Sequence, residues 1–480
     1  MDDEKCIIEG KKVAFLTLGC KVNAYETEGM RELFLKAGAT ETDFDKEADI
    51  YVVNTCSVTN MADRKSRQML HRAKKKNPEA LIVAVGCYAQ AAGERLSEQE
   101  GIDLVVGNNR KAKIVELVAT MLTKKEINRC ALPDIGKENQ YEELPIETVT
   151  ERTRAYIKIE DGCNQFCSYC IIPYVRGRVR SRGKLEILNE IARLAKEGYK
   201  EVVLTGIHLS SYGLEKKKGG EQNQTEEIVS EFDVTLTGAK KEEETVLPLL
   251  ALLREVQNVE GIERIRLGSL EPRIMTEAFV RELASLSKVC PHFHLSLQSG
   301  CDATLKRMNR KYTTAEYMGA VENLCRYFRN PAITTDIIVG FPGETDEEFR
   351  DSLQFARDAA FSQIHIFKYS RRRGTVADRM DGQIPEPVKA ERSDAMEQVE
   401  KKLRTAYMEA WFGEKEEVLL EEAVVLPADN KRYMVGHTTR YVKVYVPDVG
   451  GELRENETVS VIVSDCLCSD GVLAEISRES

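Results

Sequence analysis

The amino-acid sequence predicts an α/β protein of three units: an N-terminal parallel-sheet βαβ domain, a central partial barrel of six βα repeats, and a small C-terminal β-barrel. Three observations predict it. The first 120 residues alternate short β-rich runs with amphipathic helical stretches, a longer alternation follows residue 150, and the last 70 residues alternate apolar and polar positions with period two. At 480 residues the chain exceeds what one core organises, and about 150 residues per domain suits the division. With 42% apolar and 31% charged residues it has the composition of a globular protein, which excludes general disorder.

The N-terminal unit is expected over residues 11–125. KVAFLTLG, DIYVVNT, ALIVAVG and IDLVVGN read as strands, with YETEGMRELFLKAG and a basic helix among the covering elements. Cys20, Cys56 and Cys87 each follow one of the first three strands, at TLGC, VVNTC and AVGC. In a parallel open sheet the strand C-termini share one edge, where ligands bind, so three thiols distant in sequence converge there. The competing reading is three small core residues at strand ends, since free cysteine is commonly buried.

A polar stretch, Leu132 to Thr150, reads as a linker. The central unit is expected over 149–380, where RAYIKIE, EVVLTGIHL, ERIRLGSLE, HFHLSLQ, ITTDIIVGF and QIHIFKYS alternate with helical patterns. Six repeats are fewer than the eight that close a barrel, so an open, partial barrel fits. The Gly-, Glu- and Lys-rich segment after Gly213 reads as a surface insertion without chemistry. A Glu- and Lys-rich helix from about Pro387 to Met408 leads into the last unit, expected over 408–477.

The strongest local signal is DGCNQFCSYC, in which Cys163, Cys167 and Cys170 follow the first strand of the central unit with C-x3-C-x2-C spacing. Thiolates hold iron-sulfur clusters, and three of them leave one iron of a four-iron cluster open to bind something chemical. Zinc is the rival, but structural zinc sites usually take four Cys or His ligands and none lies near in sequence. The C-terminal ends of the barrel strands carry Gly206 and His208, Ser269, Ser296 and Gln298, and Gly340 with Gly343 and Glu344. His208 suits packing better than direct catalysis. Cys6, Cys130, Cys290, Cys301, Cys325, Cys466 and Cys468 read as structural or incidental.

On the two cysteine sets together, the chain resembles the radical S-adenosylmethionine (SAM) methylthiotransferase family over nearly its whole length. TLGCKVNAYETE, LTGIHLSSYG and HFHLSLQSGCDATLKRMNRKYTT resemble one branch, the tRNA N6-threonylcarbamoyladenosine methylthiotransferases of MtaB type. The resemblance implies two 4Fe-4S clusters, a radical-generating one on Cys163, Cys167 and Cys170 and an auxiliary, sulfur-donating one on Cys20, Cys56 and Cys87. It implies SAM as cofactor, contacted by Gly206, Ser269, Ser296, Gln298 and Gly340, where glycine admits close approach and Ser or Gln can bond ribose or adenine. It makes the last unit similar to a TRAM domain, an RNA-binding barrel of OB-like form. The implied reaction adds a methylthio group at carbon 2 of threonylcarbamoyladenosine 3′ of the anticodon, with tRNA, an electron donor and a sulfur source as partners.

Charge complicates an RNA partner. The chain carries 69 Lys plus Arg against 79 Asp plus Glu, net −10, and from Trp411 onward 7 oppose 14. Phosphate contacts then fall to the basic runs Arg64–Lys76, Arg176–Lys184 and Arg371–Arg373, with Tyr433 and Tyr441 as candidate stacking residues. No basic leader and no apolar run of about 20 residues is readable, so a cytoplasmic protein without membrane contact is expected. A methylthiotransferase for prenylated adenosine or a ribosomal protein, and a non-catalytic iron-sulfur RNA-binding sensor, stay open as alternatives.

Overall fold

The computed structural model describes residues 7–123, 129–144, 146, 153–215, 247–427, 429–468 and 471–477. In the first unit β1 (Lys12–Thr17), β2 (Thr40–Thr42), β3 (Ile50–Thr55), β4 (Leu81–Gly86), β5 (Leu104–Val106) and β6 (Cys130–Ala131) form one parallel sheet in the order β2-β1-β3-β4-β5-β6. The sequence IYVVNT of β3 is buried at every position, as expected of a strand covered on both faces. Ile50, Val52, Val83 and Val85 pack with Met30 and Phe34 of helix α1 (Lys21–Lys36) on one face. Tyr51, Val53, Ile82 and Ala84 pack with Leu70 of α2 (Asn60–Lys76) on the other. A short helix, α3 (Cys87–Ala92), follows β4 directly.

The central unit holds β7 (Arg154–Lys158), the short antiparallel pair β8 (Glu160–Asp161) and β9 (Arg180–Ser181), β10 (Glu201–Thr205), β11 (Arg264–Leu267), β12 (His292–His294), β13 (Ala332–Val339) and β14 (Gln363–Lys368). The ladders β7-β10-β11 and β12-β13-β14 are parallel, and parallel bridges Ile265↔Val289 and Leu270↔Leu295 join them. The six long strands thus run in chain order, and among the described residues no ladder pairs β7 with β14. Ala155, Ile157, Val202, Leu204, Ile265, Phe293, Ile333 and Ile337 belong to one core beneath the helices. Alternate residues of the same strands, including Tyr156, His294, Asp336 and His365, face the concave side. Helix α4 (Ile172–Val175) follows the second cysteine set, and α5 (Glu386–Glu409) crosses to the last unit.

That unit is a closed five-stranded barrel of β15 (Lys415–Val425), β16 (Arg432–Thr438), β17 (Lys443–Pro447), β18 (Thr458–Cys468) and β19 (Gly471–Ile476), in the order β15-β16-β17-β19-β18. It seats on the N-terminal ends of β7, β10 and β11. Arg264 donates to the His437 and Glu417 carbonyls, Arg266 to that of Thr439, and Arg154 to Glu421, while Glu201 accepts from Arg154 and Arg266.

Three expectations are corrected. Leu132 to Thr150 is no free linker where it is described: Leu144 and Ile146 are buried, and the Tyr141 hydroxyl donates to the Lys158 carbonyl at 2.9 Å. Neither candidate tyrosine offers a stacking face. Tyr433 is buried against Tyr445, and Tyr441 stacks on His437 beneath the Arg154 and Arg266 guanidiniums. Two basic runs spend their central arginines internally, since Arg176, Arg180, Arg182 and Arg372 are all buried. The insertion expected after Gly213 lies largely outside the described residues, as do Cys6 and the Cys468 side chain. No helix among the described residues is long and apolar enough to cross a membrane.

Candidate functional site

Strands β1, β3 and β4 are neighbours in the sheet, and each delivers one cysteine at its C-terminal end. Cys20 precedes α1 as its N-cap, Cys56 follows β3, and Cys87 opens α3. Glycine permits the convergence at two of the three ends. Gly19 has φ of +105°, and a Cβ there would stand 2.8 Å from the Cys56 Sγ; Gly86 has φ of +93°, and its Cβ would meet Asn54 Oδ1 at 2.5 Å. Cys20 lies on the open side, while Cys56 and Cys87 are buried. Burial pushes the Cys56 thiol up to about 11, with Cys87 and Cys20 adding to it.

Cys163, Cys167 and Cys170 occupy the loop between β8 and α4. Burial raises the Cys163 thiol, and raises that of Cys170 to about 12, with the neighbouring thiols contributing to both. The Arg310 guanidinium donates to Cys167 Sγ at 3.2 Å and is itself held by Glu271 at 3.2 Å. Helix α3, which Cys87 opens, packs against α4, which follows Cys170, so the two triads are neighbours.

Arg176, fully buried one residue past α4, joins the triads. Its Nε donates to Cys87 Sγ at 3.2 Å, Nη1 to Glu26 at 2.9 Å and Asp161 at 3.0 Å, and Nη2 to Asn23 at 2.7 Å. Lys158 bonds both carboxylates at 2.7 Å, Lys111 lies 3.0 Å from Glu26, and Arg180 lies 3.7 Å from Asp161. Burial opposes the charge on Glu26, but Arg176, Lys111 and Lys158 hold its carboxyl well below the usual range. Four buried cations therefore surround two carboxylates, and the excess positive charge borders the Cys87 sulfur. A ligand set of this sign suits anionic thiolates carrying a metal cluster. The spacing bears on which metal. Tetrahedral zinc, with Zn–S near 2.3 Å, draws its sulfurs to about 3.8 Å of one another. Among the described residues neither triad has its three sulfurs within 4.8 Å of one another, a spacing wider than one tetrahedral zinc ion draws.

The predicted cofactor contacts gather at the strand ends of the central unit. Gly206 abuts Glu160, whose Oε2 accepts from the Ile207 and His208 amides at 2.8 Å each. Glu160 Oε1 is buried with no hydrogen-bond partner, an acceptor suited to a ligand N–H. Burial raises the Glu160 carboxyl to about 8. The Ser296 carbonyl accepts from Arg310 and Tyr312, Gln298 takes φ of +70° between β12 and β13, and Ser269 is exposed. The Gly340 amide donates to Glu344 at 2.7 Å, and Glu344 pairs with Arg392. His208 bonds Ser211 at 2.7 Å and Glu271 at 3.1 Å, a held rather than free imidazole.

Residues 12–107 match the family described as uncharacterized protein family UPF0004, and residues 157–356 match the radical SAM superfamily. A threonylcarbamoyladenosine tRNA methylthiotransferase MtaB of Bacillus subtilis is 39% identical over 433 residues, covering 90% of this chain and 89% of that protein. The chain belongs to the radical SAM methylthiotransferases. The MtaB of Aquifex aeolicus is 36% identical, with 87% of this chain and 95% of that one covered. A tRNA-2-methylthio-N(6)-dimethylallyladenosine synthase of Pelotomaculum thermopropionicum is 35% identical, with 86% and 87% covered. Among solved structures, the radical SAM methyltransferase TsrM of Kitasatospora setae superposes with a TM-score of 0.52 at 15% identity over 76% of each chain, a likeness of fold alone.

As a member of that superfamily the methylthiotransferase uses SAM and a 4Fe-4S cluster. Sequence patterning placed Arg176 in a phosphate-contacting run rather than at the thiols, and did not single out Arg310, Glu26, Asp161 or Asn108. The last donates to the Val175 carbonyl at 2.8 Å and reaches Cys87 Sγ at 3.7 Å. Two of them carried a readable signal: Arg176 stands six residues after Cys170, and Asp161 two before Cys163.

Proposed function

We propose that this chain adds a methylthio group to carbon 2 of N6-threonylcarbamoyladenosine, 3′ of the anticodon in tRNA, with two SAM molecules and two 4Fe-4S clusters. The observation that carries the proposal is the pair of thiol triads, each with an arginine donating to one of its sulfurs, set side by side by the packing of α3 on α4. When bound, the groups supply a 5′-deoxyadenosyl radical, needed because the carbon 2 C–H bond resists acid-base chemistry, and a methylated sulfur. Cys163, Cys167 and Cys170 hold the radical-generating cluster; Cys20, Cys56 and Cys87 hold the sulfur donor. Gly206, Ser269, Ser296, Gln298 and Gly340 line the SAM position, where the ligand's ammonium charge offsets the burial that raises Glu160 and its N–H donates to Glu160 Oε1. Arg310 and Arg176 orient one sulfur in each triad. With clusters held there, an electron donor for the first and a sulfur source for the second would be required as partners. The three working units are residues 11–125, 149–380 and 408–477.

Relatives named for the threonylcarbamoyl substrate reach 39% identity against 35% for those named for the dimethylallyl one, which favours the first. Nucleoside analysis of tRNA from cells lacking the gene tests substrate and reaction together. Accumulation of threonylcarbamoyladenosine without its 2-methylthio form is expected, and an unchanged nucleoside profile would refute the proposal. Anaerobic reduction with SAM should release 5′-deoxyadenosine; failure with the iron intact would favour a sensor.

A further inference from the structure

The concave side of the partial barrel carries a polar group that the cluster chemistry leaves unexplained. His294, Asp336 and His365 stand on the adjacent strands β12, β13 and β14, with His294 paired to Thr334 and Asp336 paired to His365 in register. His294 Nδ1 lies 2.9 Å from Thr334 Oγ1, and Nε2 lies 3.3 Å from Asp336 Oδ2. The two imidazole rings lie 5.8 Å apart. Lys21 approaches the same group from the first unit. It is the exposed residue directly after Cys20, its Nζ stands 5.8 Å from the Tyr156 ring centroid on β7, and its charge acts on His292 and His365. Lys21 therefore extends from a proposed ligand of the sulfur donor toward the barrel interior.

We infer that Lys21, Asp336 and His365 form the specificity site for the substituent on adenine N6, with Lys21 taking its carboxylate. The inference rests on the threonylcarbamoyl reading and deepens it. Carbon 2 and the N6 substituent flank the same N1 edge of adenine, so a base offering carbon 2 beside Cys20 brings its substituent to the next residue. A threonylcarbamoyl group carries a carboxylate, a hydroxyl and urea N–H donors. An ammonium, an imidazole and a carboxylate acceptor match these in kind, and a dimethylallyl group offers a partner to none. Sites built from polar groups reject analogues that leave those groups desolvated and unpaired. His294, Asp336 and His365 also bring ligand atoms within 4.8 Å of one another, so a cation seated on them and binding the carboxylate is the arrangement to be distinguished from direct recognition by Lys21.

The test uses the full chain with its iron reconstituted anaerobically, and anticodon stem-loop RNAs carrying threonylcarbamoyladenosine, dimethylallyladenosine or plain adenosine. Binding and methylthiolation are both measured. Lys21→Gln and His365→Phe should each weaken preference for the threonylcarbamoyl RNA over the plain RNA about 10- to 100-fold, the range for one lost charge-assisted hydrogen bond, and Lys21→Arg should restore most of it. Equal losses on all three RNAs, or unchanged preference in both variants, would overturn the inference. So would loss of preference in the parent protein on adding EDTA, which would assign the carboxylate to a bound cation. If the parent protein instead methylthiolates only the dimethylallyl RNA, the threonylcarbamoyl reading fails before the specificity site is tested.

Discussion

Replacing Arg176 by methionine isolates what the junction between the triads does. The side chain stays long and apolar enough to fill its space, but contacts to Cys87, Glu26, Asp161 and Asn23 disappear together. The buried cations fall from four to three against the same two carboxylates, so Lys158 and Lys111 still compensate Glu26 and Asp161. Breaking a buried ion pair usually costs about 3–5 kcal/mol. With both carboxylates still paired, the lower end applies, and ~3 kcal/mol corresponds to about a hundredfold change in the docking equilibrium. Amide hydrogen exchange along α1 and α4 reads that equilibrium and should accelerate by about this factor where the units meet. The auxiliary cluster reads the electrostatics. Loss of a hydrogen bond to its sulfur and of a neighbouring positive charge disfavours its reduced form, so its midpoint potential should fall. Unchanged exchange together with an unchanged potential would show that Arg176 neither joins the units nor tunes the sulfur. The Glu26→Gln variant provides the opposite sign: it removes a negative charge from the same network, and the potential should rise.

Alanine at Cys163, Cys167 or Cys170 should abolish both SAM cleavage and methylthiolation, whereas alanine at Cys20, Cys56 or Cys87 should abolish methylthiolation alone; cleavage that survives loss of the first set refutes the assignment. Gly86→Ala forces a side chain onto backbone at φ +93° and ψ −157°, which glycine alone enters readily, costing about 1–3 kcal/mol, and sets its Cβ against Asn54 and Thr55, so the purified variant should lose the auxiliary share of its iron. Desolvation works against the charge on Glu201, yet Arg266 and Arg154 hold its carboxyl below the usual range. Its contribution is present above the unfolded value near 4.5 and is lost as pH falls toward the lower folded value, so proteolysis should separate the C-terminal barrel more readily in acid, and Glu201→Gln should flatten that dependence. Arg310→Met removes the donor to Cys167 Sγ and should slow SAM cleavage without altering RNA binding; unaltered cleavage would dismiss the contact as incidental.

Strand ends were legible in the sequence wherever a local pattern stops at a chemical residue. TLGC, VVNTC and AVGC each pair a β-rich run with a thiol, and β1, β3 and β4 do lie side by side. The six strands of the partial barrel were equally legible, because alternating helical and extended patterns need no long-range information. The interior of the junction was not. Arg176 and Arg180 sit in RGRVRSRGK, which composition alone cannot distinguish from a solvated basic face, and only the approach of Glu26 and Asp161 accounts for their burial. Tyr441 failed as a stacking candidate for a related reason: what covers its ring is Arg154 and Arg266, well over 150 residues away in the chain. Charges that pair across units leave no periodic trace in either.

The hydrogen bond from Arg176 to Cys87 crosses from the central unit into the first. The first unit by itself can present three thiols, but the donor that completes their surroundings belongs to another part of the chain, and Arg372 likewise reaches back to Ser57 beside Cys56. The thiol-bearing sheet is therefore not a portable module. Grafted onto another protein it would arrive without the cation that steadies its sulfur, and during biogenesis it should mature only after the segment bearing Arg176 has been synthesised and has closed over it.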